Sequence, residues 1–186
     1  LSGVSLKNVR LSLWSQTADK TRQKLAQQDG DLLFTHFGVS GPPVLLLSRQ
    51  LPDSFELQAA LRTFSLSVDL FPTLPAQQLD EQLLRHFVQM PLGQVKTVLN
   101  KQFSIPLAMA ALLTERLGFG RDAAVRDMTK ERRRLLLASL KNLELPLKRS
   151  RGYAEAMTTA GGISLKEIRP QTMESVLVPH LYFAGE

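Results

Sequence analysis

The densest grouping of chemically special residues in the chain is Phe34-Thr35-His36-Phe37-Gly38-Val39-Ser40-Gly41-Pro42-Pro43. An imidazole such as His36 exchanges a proton near neutral pH. Gly38 permits a sharp bend, and Ser40-Gly41 before two prolines reads as the cap and first turn of a short helix. On this reading a strand runs to His36. The helix start then offers free backbone N–H groups and a positive dipole end to an anion or an electron-rich ring edge. The plainer reading is a structural strand-turn-helix corner with His36 hydrogen-bonded inside it.

A second grouping runs from Ala156 through Thr158-Thr159-Ala160-Gly161-Gly162 to Ile168, and the chain closes with Leu181-Tyr182-Phe183-Ala184-Gly185-Glu186. Small residues let a backbone approach a flat or phosphorylated ligand closely. The apolar run stopping at Ala184-Gly185-Glu186 reads as a strand handing over to a phosphate-facing turn. A lone Gly-Gly is more often a turn than a site. No G-x-G-x-x-G fingerprint occurs, so this chain does not assemble a complete dinucleotide site. The pattern is that of the tail of a nucleotide-cofactor domain whose opening lies elsewhere, and hence of a piece of an enzyme.

Other chemistries find less support. The chain has no cysteine, which excludes disulfides and thiolate chemistry and is compatible with a reducing, cytoplasmic setting. His36, His86 and His180 are isolated from carboxylates at metal-ligand spacing, so no metal site is expected. His86 reads as a surface or boundary residue on its helix, and Trp14 as core or rim packing. No G-x-S-x-G elbow or Walker loop is present. No apolar run approaches the ~20 residues that span a bilayer, and the opening Leu1-Ser2-Gly3-Val4 has no leader-peptide pattern. The net charge of +6 lies wholly in one stretch. Arg121 to Arg151 holds ten basic and four acidic residues, and the rest of the chain balances at thirteen of each. That stretch, with Lys130-Glu131-Arg132-Arg133-Arg134 and Lys148-Arg149-Ser150-Arg151, could hold a phosphate backbone. The blander reading is a solvated helix face before a leucine stripe. A basic nucleic-acid-binding module is therefore the alternative function, not the expected one.

These residues need elements to position them. Alternation over Leu6–Trp14 predicts a half-buried strand. Thr21–Gln27 is a weaker strand candidate, Asp29-Gly30 a tight turn, and Asp31–Phe37 the second arm of a hairpin. Phe55–Leu61 and Phe64–Leu70 alternate again, the second with Phe64, Leu66, Val68 and Leu70 on one face. The period changes after Pro75. Leu79, Leu83 and Phe87 form a helix stripe, Pro91-Leu92-Gly93 breaks it, and Val95, Val98 and Leu99 begin a short second helix. Ser104-Ile105-Pro106 starts a third, over Leu107–Leu117, ended by Gly118. Thr129 caps a fourth, carrying Leu136, Leu137 and Leu140. The chain then extends through Leu145, Leu147 and Tyr153. The fold class is α+β: a small antiparallel β-sheet or barrel with a helical cluster.

Three blocks carry a resemblance, in order: Leu32-Leu33-Phe34-Thr35-His36-Phe37-Gly38-Val39-Ser40-Gly41-Pro42; Thr159-Ala160-Gly161-Gly162-Ile163 with Leu165-Lys166-Glu167-Ile168; and Thr172-Met173-Glu174-Ser175 with Leu181-Tyr182-Phe183-Ala184-Gly185-Glu186. Together they resemble the BaiN/YhiN-like bacterial flavoproteins, NAD(P)/FAD-dependent oxidoreductases that include aminoacetone oxidase-like enzymes. In that family a Rossmann-type FAD domain is interrupted by an inserted domain, part barrel and part helical. The resemblance implies that residues 1–152 are this insertion: 1–71 mainly β, 72–143 helical and 144–152 a returning strand. Residues 153–186 would be a partial FAD-binding segment, with the rest of its own FAD domain as partner. It further implies that Thr159, Ala160, Gly161 and Gly162 line FAD and that Gly185-Glu186 begin a cofactor-contacting turn. His36, Gly38, Ser40 and Gly41 would face the flavin on the substrate side, with His36 the candidate catalyst. NAD(P)H would be the reductant of the whole protein and a small molecule its substrate. No membrane or nucleic-acid partner is implied, and the piece alone is not expected to bind FAD.

Overall fold

The computed structural model describes residues 1–51, 62–148, 150–152, 155–156 and 161–185. The expected strand over 55–61, Tyr153, Thr158, Thr159, Ala160 and Glu186 lie outside the described residues. The chain divides into two compact units, Leu1–Lys148 and Arg149–Glu186.

The first unit is α+β. Its sheet comprises β1 (Ser5–Thr17), β2 (Arg22–Phe34), β3 (Val39–Ser40), β4 (Arg62–Asp69) and β5 (Leu143–Leu147), in the order β3-β2-β1-β4-β5 with every pairing antiparallel. Five α-helices accompany it among the described residues: α1 (Pro42–Ser48), α2 (Ala76–Gln89), α3 (Val95–Phe103), α4 (Leu107–Arg116) and α5 (Lys130–Lys141). Alternation sorts the sheet's faces. Leu11 and Leu13 on β1, Leu66 and Val68 on β4, and Leu143 on β5 are buried in one core with the helical residues Leu79, Leu83, Leu99, Met109, Leu136 and Leu140. The other face is polar, with Arg10, Ser12, Trp14 and Gln16 alternating along β1. A sheet with one face on the core and one toward water shows this pattern.

The sheet curls toward its polar face. Arg22 on β2 reaches Glu144 on β5 at 2.5 Å although β1 and β4 lie between their strands. In a flat sheet those strands would stand roughly 14 Å apart. Two register shifts accompany the curl, one between Leu6 and Val9 and one between Leu13 and Trp14. At the first, Lys7 and Asn8 stand opposite the single residue Asp31, whose carboxylate takes the Lys7 ammonium at 2.6 Å and the Asn8 N–H at 3.0 Å. Bulges of this kind raise local twist.

The hairpin differs from the sequence expectation. Asp29-Gly30 is no turn: both residues lie inside β2, opposite Arg10 and Val9. Gly30 is needed instead for close approach, since a β-carbon there would stand 3.3 Å from the Pro43 ring. The chain reverses at Ala18-Asp19-Lys20, between Thr17 and Thr21, where Lys20 takes a left-handed φ of 68°. The Asp19 carboxylate closes this turn by accepting from the Thr17 hydroxyl and the Thr21 N–H.

The helices follow their periodicity. The Thr129 hydroxyl caps α5 by accepting from the Arg132 N–H at 3.2 Å. Arg133 of α5 grips Asp80 of α2 through two hydrogen bonds of 2.7 and 3.1 Å. Lys141 ties the end of α5 to the sheet: its ammonium reaches Asp69 at 2.7 Å and the carbonyls of Phe71 and Leu74 at 2.8 and 3.0 Å.

The second unit is built from turns. Isolated bridges join Ile168 to Ser175 and Glu174 to Tyr182, and Arg169 pairs with Glu174 at 3.1 Å. The expected apolar strand over Leu181–Ala184 is only that single bridge, because no strand among the described residues of this unit offers Leu181–Ala184 a longer edge to pair with.

Candidate functional site

The corner after β2 is tighter than the sequence suggests. β2 ends at Phe34, two residues short of the expected end at His36. The chain turns over Thr35–Gly38, closed by the Thr35 N–H donating to the Gly38 carbonyl at 2.8 Å. β3 then returns on β2 with Leu33 opposite Ser40 and Phe34 opposite Val39. Gly41, not the Ser40 side chain, stands at the helix cap. Its φ is 120°, and a β-carbon there would overlap the Asp31 carbonyl oxygen. The corner is therefore welded to β2 at Gly30 against Pro43 and at Asp31 against Gly41.

At its tip, His36 and Phe37 are exposed, with ring centroids 4.7 Å apart in an edge-to-face pair. His36 is thus not hydrogen-bonded inside the corner but presented outward on a stiff turn. The expected cluster of N–H donors does not form. Pro42 and Pro43 have no N–H, and those of Val44 and Leu45 both bond the Gly41 carbonyl, at 3.0 and 3.1 Å. An anion site on α1 has nothing to build on. The corner and its flanking elements expose apolar side chains instead: Leu33 of β2, Phe37 of the turn, and Leu45 and Leu46 of α1 are 40–50% exposed.

Of the residues expected at a cofactor, Gly161, Gly162 and Gly185 are described and exposed, with φ of 114°, 101° and 132° and open space where a side chain would be. Such backbone tolerates close approach by a ligand but does not enclose one. A cavity of about 180 Å³ lies elsewhere, in the first unit, lined by Leu6, Val9, Leu70, Phe103 and Ile105. It is smaller than the ~300–1,000 Å³ usual for ligand sites.

His86 lies half-buried beside Phe103, centroids 5.5 Å apart, as a boundary residue. Trp14 is less ordinary than core or rim packing. The guanidinium of Arg22 lies 4.3 Å and the ammonium of Lys24 5.4 Å from its ring centroid, and its buried indole N–H has no acceptor among the described residues. Sequence reading missed this cluster because β2 brings Arg22 and Lys24 onto β1 only through pairing. The alternating Arg22–Lys24 spacing opposite an aromatic was its one available signal.

A curled antiparallel sheet packed on a helical cluster, followed by a glycine-bearing segment, defines an α+β domain of barrel and helical parts. The chain belongs to the HI0933-like family: the model described as "HI0933-like protein barrel and H2TH domain" matches residues 1–158. The chain is 32% identical over 83% of its length to a ribosomal RNA dihydrouridine synthase of Haemophilus influenzae, and 30% identical over 84% to one of Escherichia coli. It is 26% identical over 89% to a 3-dehydro-bile acid delta(4,6)-reductase of Clostridium scindens. The chain spans 35% of the length of each synthase and 39% of the reductase.

Proposed function

We infer that this chain is the inserted domain of an FAD-dependent reductase, residues 1–152, with residues 153–186 returning into the FAD domain. One observation carries the reading. The described residues of the second unit form turns and bridges yet leave Leu165, Val176, Leu177 and Tyr182 more than half exposed. Apolar side chains so disposed call for a larger body to cover them, and the rest of an FAD domain is that body. FAD, gripped mainly by that domain, supplies hydride chemistry when bound. Thr159, Ala160, Gly161, Gly162, Gly185 and Glu186 let it approach the backbone. The stiff corner of His36, Gly38, Ser40 and Gly41 covers the substrate side, its exposed Phe37 and leucines excluding water and His36 holding or donating a proton.

The relatives' names suggest the substrate's reacting bond. Dihydrouridine is uridine with two hydrogens added across a carbon–carbon double bond conjugated to a carbonyl, and a 3-dehydro steroid with delta(4,6) unsaturation carries such a bond too. Between these substrates, the two relatives of higher identity favour a uridine in RNA. The full-length protein should purify yellow, be reduced by NADH or NADPH, and reoxidise with uridine-containing RNA. His36→Ala should lower turnover by about 10² or more without changing the melting temperature, since the ring is exposed. Colourless protein that takes up no FAD would remove the reading. Unchanged turnover in the variant would remove His36 from the site.

A further inference from the structure

Resting on the RNA reading above, we propose that the polar, concave face of the sheet, at the end marked by Trp14, holds the phosphodiester backbone of the RNA strand. Two pieces of chain far apart in sequence, Lys20–Lys24 and the end of β5, bring cations there. Arg22 and Lys24 stand opposite Gln16 and Trp14 across the β1–β2 ladder. Lys148 lies one residue past the Phe64–Leu147 pair, on the side of β5 that carries Glu144. Lys20 tops the hairpin turn. Among the described residues of these strand ends and the turn, the four cations face two carboxylates, Asp19 and Glu144. Asp19 is engaged by the turn's own donors, and Glu144 by Arg22. Lys20, Arg22, Lys24 and Lys148 are all exposed. The Trp14 ring holds Arg22 and Lys24 in place, so less side-chain freedom is lost on binding. A cationic groove beside an aromatic suits a single strand tracked by its phosphates.

The contiguous basic run is the weaker candidate. Arg133 and Lys141 are bound to Asp80 and Asp69, and Arg151 lies in the second unit, paired with Glu155. The exposed Arg121, Arg126, Lys130 and Arg134 are interleaved with exposed Asp122, Asp127 and Glu131.

The test uses the full-length protein and a fluorescein-labelled oligouridylate, with affinity read by anisotropy from 50 to 200 mM NaCl. Lys20→Glu/Lys24→Glu/Lys148→Glu should weaken binding about tenfold or more and flatten the salt slope by about two. Arg126→Glu/Lys130→Glu/Arg134→Glu should change affinity by less than about threefold. The neutral Lys24→Gln/Lys148→Gln variant should show a smaller loss in the same direction, and its circular dichroism guards against unfolding. Wild-type binding that survives the first triple variant, or that is lost only in the second, overturns the groove while leaving the RNA reading intact. A wild-type protein that binds no oligouridylate at 50 mM salt, while still turning over a free conjugated ketone, overturns both.

Discussion

Gly41 carries the corner's geometry, because both its backbone conformation and its contact with Asp31 forbid a side chain. Gly41→Ala must move the α1 start away from β2 and strain a left-handed φ. A cost of about 2–4 kcal/mol is expected, read as a lowered urea midpoint. An unchanged midpoint would mean that α1 can lift off β2 freely, and the corner would then be no rigid platform. His36 depends on this residue indirectly: the ring is presented outward only while the short Thr35–Gly38 turn stays closed. The residue scale also explains why α1 offers no anion site. The two prolines that make the helix start recognisable are the residues that lack N–H groups.

Across the β1–β2 ladder, the exposed carboxylates are held down in pKa by their cross-strand partners. The Arg10 guanidinium bonds Asp29 at 2.8 Å and lowers its carboxyl. The Lys7 ammonium, with the Asn8 N–H, does the same for Asp31. Each folded value lies below its unfolded one, so the stabilisation is present above the unfolded value, near 4. It is lost as the pH falls through the lower folded values. The urea midpoint should therefore hold from pH 7 to 5 and fall below about pH 4. Added salt should reduce the difference, since these pairs are solvent-exposed. A midpoint that rises on acidification would contradict the ladder. The same ladder accounts for the misread turn. Asp29-Gly30 has turn composition, but Asp29 is spent on Arg10 and Gly30 on Pro43.

On the scale of the whole molecule, the two units differ in kind. The first has a continuous core from Leu6 to Leu143. Among the described residues of the second, only Ser175 is buried, its hydroxyl accepting from the N–H groups of Leu177 and Val178. Residues 1–148 produced alone should retain a cooperative thermal transition, because unit 1 contains its own core. A broad, non-cooperative melt of that piece would show that its core needs the remainder. No helix among the described residues is long and apolar enough to cross a membrane.

Periodicity alone determined the α+β class, β1, β4 and all four helices after Pro75, because alternation and the helix stripe are properties of neighbouring residues. The family was legible too, in short blocks whose order survives without any contact being known. Pairing decided the rest. The hairpin reverses at Ala18-Asp19-Lys20, a segment with no glycine, because β2 is registered by Gly30, Asp29 and the two bulges rather than by its turn. Charge behaved likewise. Composition places the surplus between Arg121 and Arg151, but folding ties Arg133 and Lys141 to carboxylates and collects unrelated cations around Trp14. A charge's availability depends on what stands across from it in space, and a linear sequence does not contain that distance.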